Sequence, residues 1–378
     1  MSLSIDYRPA LVNREGIGRY VRELVRGMLF CGMDRELNLF AGTLRPSRYS
    51  KSELGLIDAN VRLLRPRYPT RYFRKLLDKK GIGIDDWIGD TSVYHQTQWS
   101  PLPVHHAAEV GTIFDCIYAL DAMDSNGPDF LPRDAAQRML AHSSALAERC
   151  KILIVPSQYV ADQVVQKLGA DPAKVRVTHL GCDHLPPGAD RPGHLTPNAP
   201  YILTVTRIDR RKNHVAALRI FERLVKKGYP HHWVVVGPLG HGNQEFVHAL
   251  KESPVRSRVR WLRIVGDGEL STLLKSAELL LWPSLNEGFG LPPLEAMACG
   301  TPVVTSHCTS IPEICGDAAL LHDPADEDAL FESCCKLIED TAFSQALAEK
   351  GLERAAQFTW HRTASETMEI YKELMEPN

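Results

Sequence analysis

A chain of 378 residues is too long for one ordinary hydrophobic core and long enough for two. With 44% hydrophobic and 24% charged residues it has the composition of a globular protein, and a formal net charge of −2 gives no global attraction to nucleic acid. No apolar run approaches the roughly 20 residues of a membrane span, and nine scattered cysteines, with only Cys334 and Cys335 adjacent, match no zinc or redox spacing.

The opening residues, "MSLSIDYRPALVNREG", have neither the basic head nor the apolar centre of a signal peptide. With thiols that look free, this predicts a cytoplasmic protein. In "REGIGRYVREL" (14–24), Gly16 and Gly18 precede a helix predicted near 17–30. Their amides could face a cleft from the first domain, although turns need glycines in any case. Segment 62–80, "RLLRPRYPTRYFRKLLDKK", has eight basic residues against one acid, interleaved with Tyr68, Tyr72 and Phe73. It reads either as a solvated helix and loop or as a surface for anionic lipid, at about 1 kcal/mol per basic residue near the membrane.

Strands are predicted at "VYHQ" (93–96), "EVGTIFD" (109–115) and "KILIVPS" (151–157), and helices near 133–149 and 158–168. Asp115 falls at the end of the second strand, where it is either functional or a cap. His95 and His105 match no motif. The stretch "HLPPGADRPGHLTPNAP" (184–200) is too rich in proline and glycine to continue a helix or a central strand and reads as a linker. The predicted division is a first domain over 1–185, a linker over 186–200 and a second domain over 201–359.

The second half alternates more cleanly. "YILTVT" (201–206), "HWVVVG" (232–237), "VRWLRIVG" (259–266), "LLLWPS" (279–284), "TPVVTS" (301–306) and "AALLHD" (318–323) read as strands, with helices at 214–228, 270–277 and 292–299 between them. Near-continuous Val, Ile and Leu separated by helices indicate a parallel sheet covered on both faces. The fold class is therefore α/β, with two Rossmann-like doubly wound domains, whose ligands bind outside the carboxyl ends of the strands.

Chemistry concentrates in "NEGFGLPPLEAMACG" (286–300). Amides of Gly288, Phe289, Gly290 and Leu291 lie near a helix N-terminus, where unpaired N–H groups and the dipole attract an anion. An anion there would repel Glu287 unless that side chain turned toward neutral hydroxyls. Glu295, taken as one turn into a helix with Pro293 at its first position, either offsets the helix dipole or accepts hydrogen bonds from a vicinal diol. Phosphate on amides and polyols on carboxylates describe a sugar nucleotide. "TVTRIDRRKNH" (204–214) adds Arg207 and Lys212 after the first strand of the second domain, suited to a diphosphate or simply to a solvated loop. Asp326-Glu327-Asp328, the formal Asp-x-Asp that a metal-dependent transferase would use, reads better as a helix N-terminus, so no metal site and no cofactor is predicted.

These motifs resemble the retaining glycosyltransferases of family 4, which have the GT-B fold. "NEGFGLPPLEAMACGTPVV" looks like their E-x7-E signature, "TRIDRRKN" their Arg-and-Lys segment, "REGIGRYVREL" their N-terminal glycine loop and "IPEICGDAALLHDP" (311–324) their continuation. The resemblance implies Glu287 and the Gly288–Leu291 amides on the donor sugar and phosphate, and Glu295 on the ribose. It places Arg207 and Lys212 on the diphosphate, residues near Val265–Gly266 by the base, and Gly16 and Gly18 on the facing side. It further implies a terminal helix (360–378) crossing back to the first domain, GDP-mannose as first choice of donor and a UDP-sugar as second, and a saccharide or lipid-linked acceptor. Two departures stand out: Phe114 precedes Asp115 where many members carry a histidine, and Thr206 replaces a glycine before Arg207. The alternatives are another GT-B enzyme, such as a nucleotide-sugar epimerase, and a non-catalytic nucleotide-sugar-binding protein.

Overall fold

The computed structural model describes residues 2–13, 16–33, 37–56, 61–66, 70–124, 127–188 and 198–376. They form two compact units, one built from the chain up to Cys116 with Gln137–Gly181 and the residues from Thr359 on, the other from Ile117–Ala136 with Cys182–Phe358.

The first unit holds seven strands, β1 (Leu3–Asp6), β2 (Leu37–Phe40), β3 (Val61–Leu64), β4 (Val93–Gln96), β5 (Ala108–Thr112), β6 (Ile152–Val155) and β7 (Val175–Val177), in the order β3-β2-β1-β4-β5-β6-β7. Every pairing is parallel. Helix Gly16–Phe30 buries Tyr20, Val21, Leu24, Val25 and Met28, one stripe at helical spacing. Helix Trp360–Met375 packs closely on it: a Cβ on Gly27 would lie 2.7 Å from the Ala364 Cβ and 2.8 Å from the Trp360 carbonyl oxygen. The contact thus depends on a residue with no side chain. A hydrogen-bonded chain reinforces it, with Tyr371 Oη 2.6 Å from His95 Nδ1 and His95 Nε2 2.6 Å from Thr112 Oγ1. His95, unmatched to any motif, is thus a core residue, and burial pulls its pKa down to about 3.

The second unit holds β8 (Tyr201–Val205), β9 (His232–Val236), β10 (Val259–Leu262), β11 (Leu279–Trp282), β12 (Val303–Ser306) and β13 (Leu320–His322), in the order β10-β9-β8-β11-β12-β13, again all parallel. Helix His214–Lys227 covers one face through Ala217, Leu218, Phe221 and Leu224, which meet Trp233, Leu279 and Val304 in a continuous core. Each large side chain so buried contributes roughly 1.5–3 kcal/mol. The buried indoles remain satisfied, Trp233 Nε1 donating to Thr204 Oγ1 at 2.9 Å and Trp282 Nε1 to the Val205 carbonyl at 3.2 Å.

Strand order reverses direction between β8 and β11, so the crevice at their carboxyl ends is where such a sheet binds its ligand. Segment 117–136, which the sequence reading ran on within the first domain, groups with the second unit, where Asp129 Oδ2 accepts from Arg210 Nη1 at 3.0 Å. Long-range pairing of this kind leaves no periodic trace in the sequence. Two strands end early: β5 stops at Thr112, three residues before Asp115, and β10 stops at Leu262. In the basic segment, Phe73 and Leu77 are buried while Tyr72 and Leu76 are exposed one turn apart. Tyr68 and linker residues 189–197 lie outside the described residues.

Candidate active site

The loops leaving β8 and β11 are tied by their backbones, since the Leu285 amide donates to the Arg211 carbonyl at 2.7 Å. The first loop tightens into a short helical turn over Arg210–Lys212 and ends on Asn213 at φ 55°. This carries the Lys212 side chain inward, over the Trp282 ring at 5.0 Å. Lys212 Nζ and Ser284 Oγ both donate to Glu287 Oε1, and Arg211 Nη1 reaches Glu287 Oε2 at 3.3 Å and the Asn286 carbonyl at 3.0 Å. Lys212 and Glu287 are each only 7% exposed.

Burial by itself would raise the Glu287 pKa, but Lys212 and Arg211 with the Lys212 and Ser284 hydrogen bonds hold it below the ordinary carboxylate range. Burial likewise pulls Lys212 down to about 8, helped by Arg211 and opposed by Glu287. Beside an anion, Glu287 would be repelled unless it turned toward neutral hydroxyls. In the structure it lies on two cations, because a buried carboxylate needs charged partners to remain ionised. Arg207 is exposed at the end of β8.

The loop 286–290 is held from β12's side. Thr309, a β-branched residue at φ 54°, accepts the Glu287 amide on Oγ1 at 3.1 Å. Ser310 Oγ, fully buried, lies 3.0 Å from the Glu287 carbonyl and 2.8 Å from the Phe289 carbonyl. In a trans peptide the N–H opposes its C=O, and no peptide here is cis, so both contacts turn the amides of Gly288 and Gly290 away from Ser310. Gly290 stands at φ 113°, and a Cβ there would meet Ile311 Cδ1 at 2.7 Å. Phe289 is buried edge-on to Phe358, 6.1 Å between centroids.

Helix Leu291–Ala298 starts earlier than expected, with Pro292 and Pro293 inside its first turn rather than Pro293 opening it. The prolines bring no N–H, which leaves Gly288, Phe289, Gly290 and Leu291 to supply amides near the N-terminus. Glu295 therefore sits in the second turn, outside the reach of simple first-turn dipole compensation. Its Oε1 is 3.0 Å from Nε2 of His184, whose side chain is fully buried. Burial pushes the neighbouring Cys182 thiol up to about 12 and Cys299 up to about 11, which makes both poor nucleophiles.

Other expected positions resolve differently. Gly266 is the N-cap of helix Asp267–Ser276, with its amide donated to Glu269 Oε2 at 2.8 Å. In the first unit, Gly16 opens the helix at φ 43° with open space around it, whereas Gly18 already lies within the first turn. A Cβ on Gly18 would fall 2.0 Å from the Asn13 carbonyl oxygen, so packing alone requires that glycine. Asp115 is partly buried, and Phe114 packs edge-on against Tyr20 at 5.0 Å, an apolar contact with no proton to transfer. Asp326 caps its helix by accepting from the Ala329 amide at 2.9 Å, while Glu327 and Asp328 pair with Arg219 and Arg223.

Sequence reasoning missed Arg211, Ser284, Thr309, Ser310 and His184. Only Arg211 carried a signal, as part of the Arg-Arg-Lys run. The others are common residue types that gain meaning from what they touch.

Two parallel Rossmann-type units, with a charged crevice at the β8–β11 reversal and a glycine loop feeding a helix, define a GT-B glycosyltransferase. The family model described as glycosyl transferases group 1 matches residues 189–354. The O-antigen chain mannosyltransferase B of Escherichia coli is 27% identical, over 94% of this chain and 96% of its own. The D-inositol 3-phosphate glycosyltransferase of Actinosynnema mirum is 31% identical, over 75% of this chain and 70% of its own. In fold, the chain is similar to sucrose-phosphate synthase from Thermosynechococcus elongatus, with a TM-score of 0.77 at 21% identity over 99% of each chain. The chain belongs to the group 1 glycosyltransferases.

Proposed function

We propose that this enzyme transfers a hexose, mannose in the first instance, from a nucleoside-diphosphate sugar to a saccharide or lipid-linked acceptor, with retention and without a metal, in building a cell-surface polysaccharide. GDP-mannose is the donor we favour, in keeping with the named activity of the Escherichia coli relative. The observation that carries the reading is the buried Lys212–Glu287 pair on the glycine loop whose Gly288 and Gly290 amides face away from Ser310.

An ammonium has three donors, so Lys212 can keep Glu287 and still meet a diphosphate oxygen, with Arg207 adding charge from the rim. Glu287 and the loop amides then hold the sugar, and Glu295 holds the ribose. As the bond from the anomeric carbon to the phosphate oxygen breaks, its electron pair passes to that oxygen, where fixed cations and amide dipoles stabilise the charge. The acceptor hydroxyl attacks from the same face and its proton goes to the departing phosphate. Trapping a glycosyl adduct on Glu287 would refute this route. The exposed Tyr72 and Leu76 on the basic helix Thr70–Lys80 support docking at the cytoplasmic face of a membrane.

Calorimetric titration with GDP, UDP, ADP and their sugar conjugates, repeated on Glu295→Ala, tests the reading. We expect tight binding of GDP, weakened by the substitution, and binding of none of them would overturn the proposal. Phe114 at the histidine position favours one second reading, a binding protein without turnover, which release of GDP from GDP-mannose in the presence of acceptor would exclude.

A further inference from the structure

Three consecutive side chains of the loop after β12 reach the loop leaving β11. Cys308 Sγ lies 3.4 Å from the Ser284 carbonyl oxygen and 3.5 Å from that of Leu285. Thr309 Oγ1 accepts from the Glu287 amide at 3.1 Å, and Ser310 Oγ lies against the carbonyls of Glu287 and Phe289. In an extended chain successive side chains point to opposite faces, so for all three to reach one loop the backbone must leave that form. Thr309 supplies the turn, at φ 54°. We propose that Thr309 is a positioning residue for the sugar half of the donor: its hydroxyl pins the Glu287 main chain and so sets where the Glu287 carboxylate meets the transferred sugar. The inference deepens the reading above and rests on its assignment of Glu287 to the donor sugar.

Left-handed backbone is unfavourable for a residue with a Cβ, and most of all for a β-branched one, whereas glycine and asparagine adopt it readily. A turn wanted for its shape alone would favour one of those two. Threonine adds what glycine lacks, a hydroxyl oxygen that takes the Glu287 N–H, and strain of this kind persists where surrounding contacts hold it. Glu287 is thereby held at its amide by Thr309, at its carbonyl by Ser310, at Oε1 by Lys212 and Ser284, and at Oε2 by Arg211. The carboxylate contacts act through a side chain with three rotatable bonds, so they orient the group but leave its Cα room to shift. The two backbone contacts remove that room. Small displacements of a positioning group cost large factors, because the reacting atoms must sit within a narrow range. A plain tie between two loops would behave differently, since losing it would weaken every nucleotide ligand alike.

The test takes the nucleoside diphosphate, among GDP, UDP and ADP, that binds wild type most tightly, together with its hexose conjugate (GDP-mannose, UDP-glucose or ADP-glucose). Both are titrated by calorimetry into wild type, Thr309→Val, Thr309→Ser and Glu287→Gln. Thr309→Val keeps the branched shape and removes the acceptor. It should bind the conjugate about tenfold more weakly than wild type, and the free diphosphate within about twofold. Thr309→Ser, which keeps the hydroxyl, should stay near wild type for both. Equal weakening of both ligands in Thr309→Val, or no weakening of the conjugate, overturns the inference while leaving the parent reading standing. Glu287→Gln checks that parent reading, because it too should weaken the conjugate selectively. If it does not, or if wild type binds none of the nucleotides, the sugar assignment fails and this inference with it. Should Thr309→Val not fold, Thr309→Gly replaces it, since glycine takes this φ without strain. The same selective loss is expected, and if Thr309→Gly holds the conjugate as wild type does, the hydroxyl has no such role.

Discussion

Lys212 and Glu287 come from loops on different strands, β8 and β11, and meet as a buried ion pair at the point where the strand order of the second unit reverses. Seventy-five positions apart in the chain, they are adjacent only because the two strands are neighbours.

Breaking this pair from one side should destabilise the protein more than replacing it from both. Lys212→Met leaves Glu287 with Arg211 as its remaining cation, and Glu287→Leu leaves Lys212 and Arg211 facing each other. Each single change should cost about 3 kcal/mol, while the double variant should cost clearly less than the sum. Urea unfolding of the four proteins measures the coupling, and simple additivity would show that the pair does not interact.

Lys212 also sets a proton linkage. Its pKa of about 8 means that a diphosphate arriving near pH 8.5 should draw a proton onto it. Titration in two buffers of different ionisation enthalpy should reveal uptake of a substantial fraction of a proton at that pH, absent in Lys212→Met. For folding the sign runs oppositely. Between about 8 and its ordinary 10.5 the unfolded chain holds the proton that the folded chain has lost, so this group's contribution to stability rises with pH there.

Ser310 offers a separate test of the loop. Ser310→Ala leaves the Glu287 and Phe289 carbonyls without its hydroxyl, at a cost of roughly 1–2 kcal/mol in stability. If that hydroxyl aims the Gly288 and Gly290 amides, donor kcat/KM should also fall about tenfold or more. A variant that unfolds earlier but turns over normally at low temperature would show that the amides need no such guide.

Acid should loosen the first unit through His95. Its folded pKa of about 3 lies below the ordinary 6.5, so its stabilising contribution is complete above 6.5 and declines as pH falls toward 3. At pH 5 the loss should reach roughly 2 kcal/mol. His95→Gln, with no titrating ring, should flatten the pH dependence of the unfolding midpoint between 6.5 and 5. An unchanged slope would mean that other groups carry the acid sensitivity.

Much of this was legible from the chain alone. Strand-length runs such as "LLLWPS" and "HWVVVG" pointed to a parallel sheet, and Glu287 beside its glycines with Glu295 eight positions on pointed to the candidate site. These signals are local, because period, turn chemistry and helix start are set by near neighbours. The helix starts at Leu291, which puts Pro293 third rather than first and changes the meaning of Glu295. What tertiary structure decided was which side chains share a space. It put Glu287 on Lys212 and Arg211, packed Phe114 on Tyr20, assigned 117–136 to the second unit, and buried His184 against Glu295. Composition names residue types and spacing names elements, but a buried charge takes its partner from whatever the packed strands bring within hydrogen-bond reach, and that is a property of the whole fold.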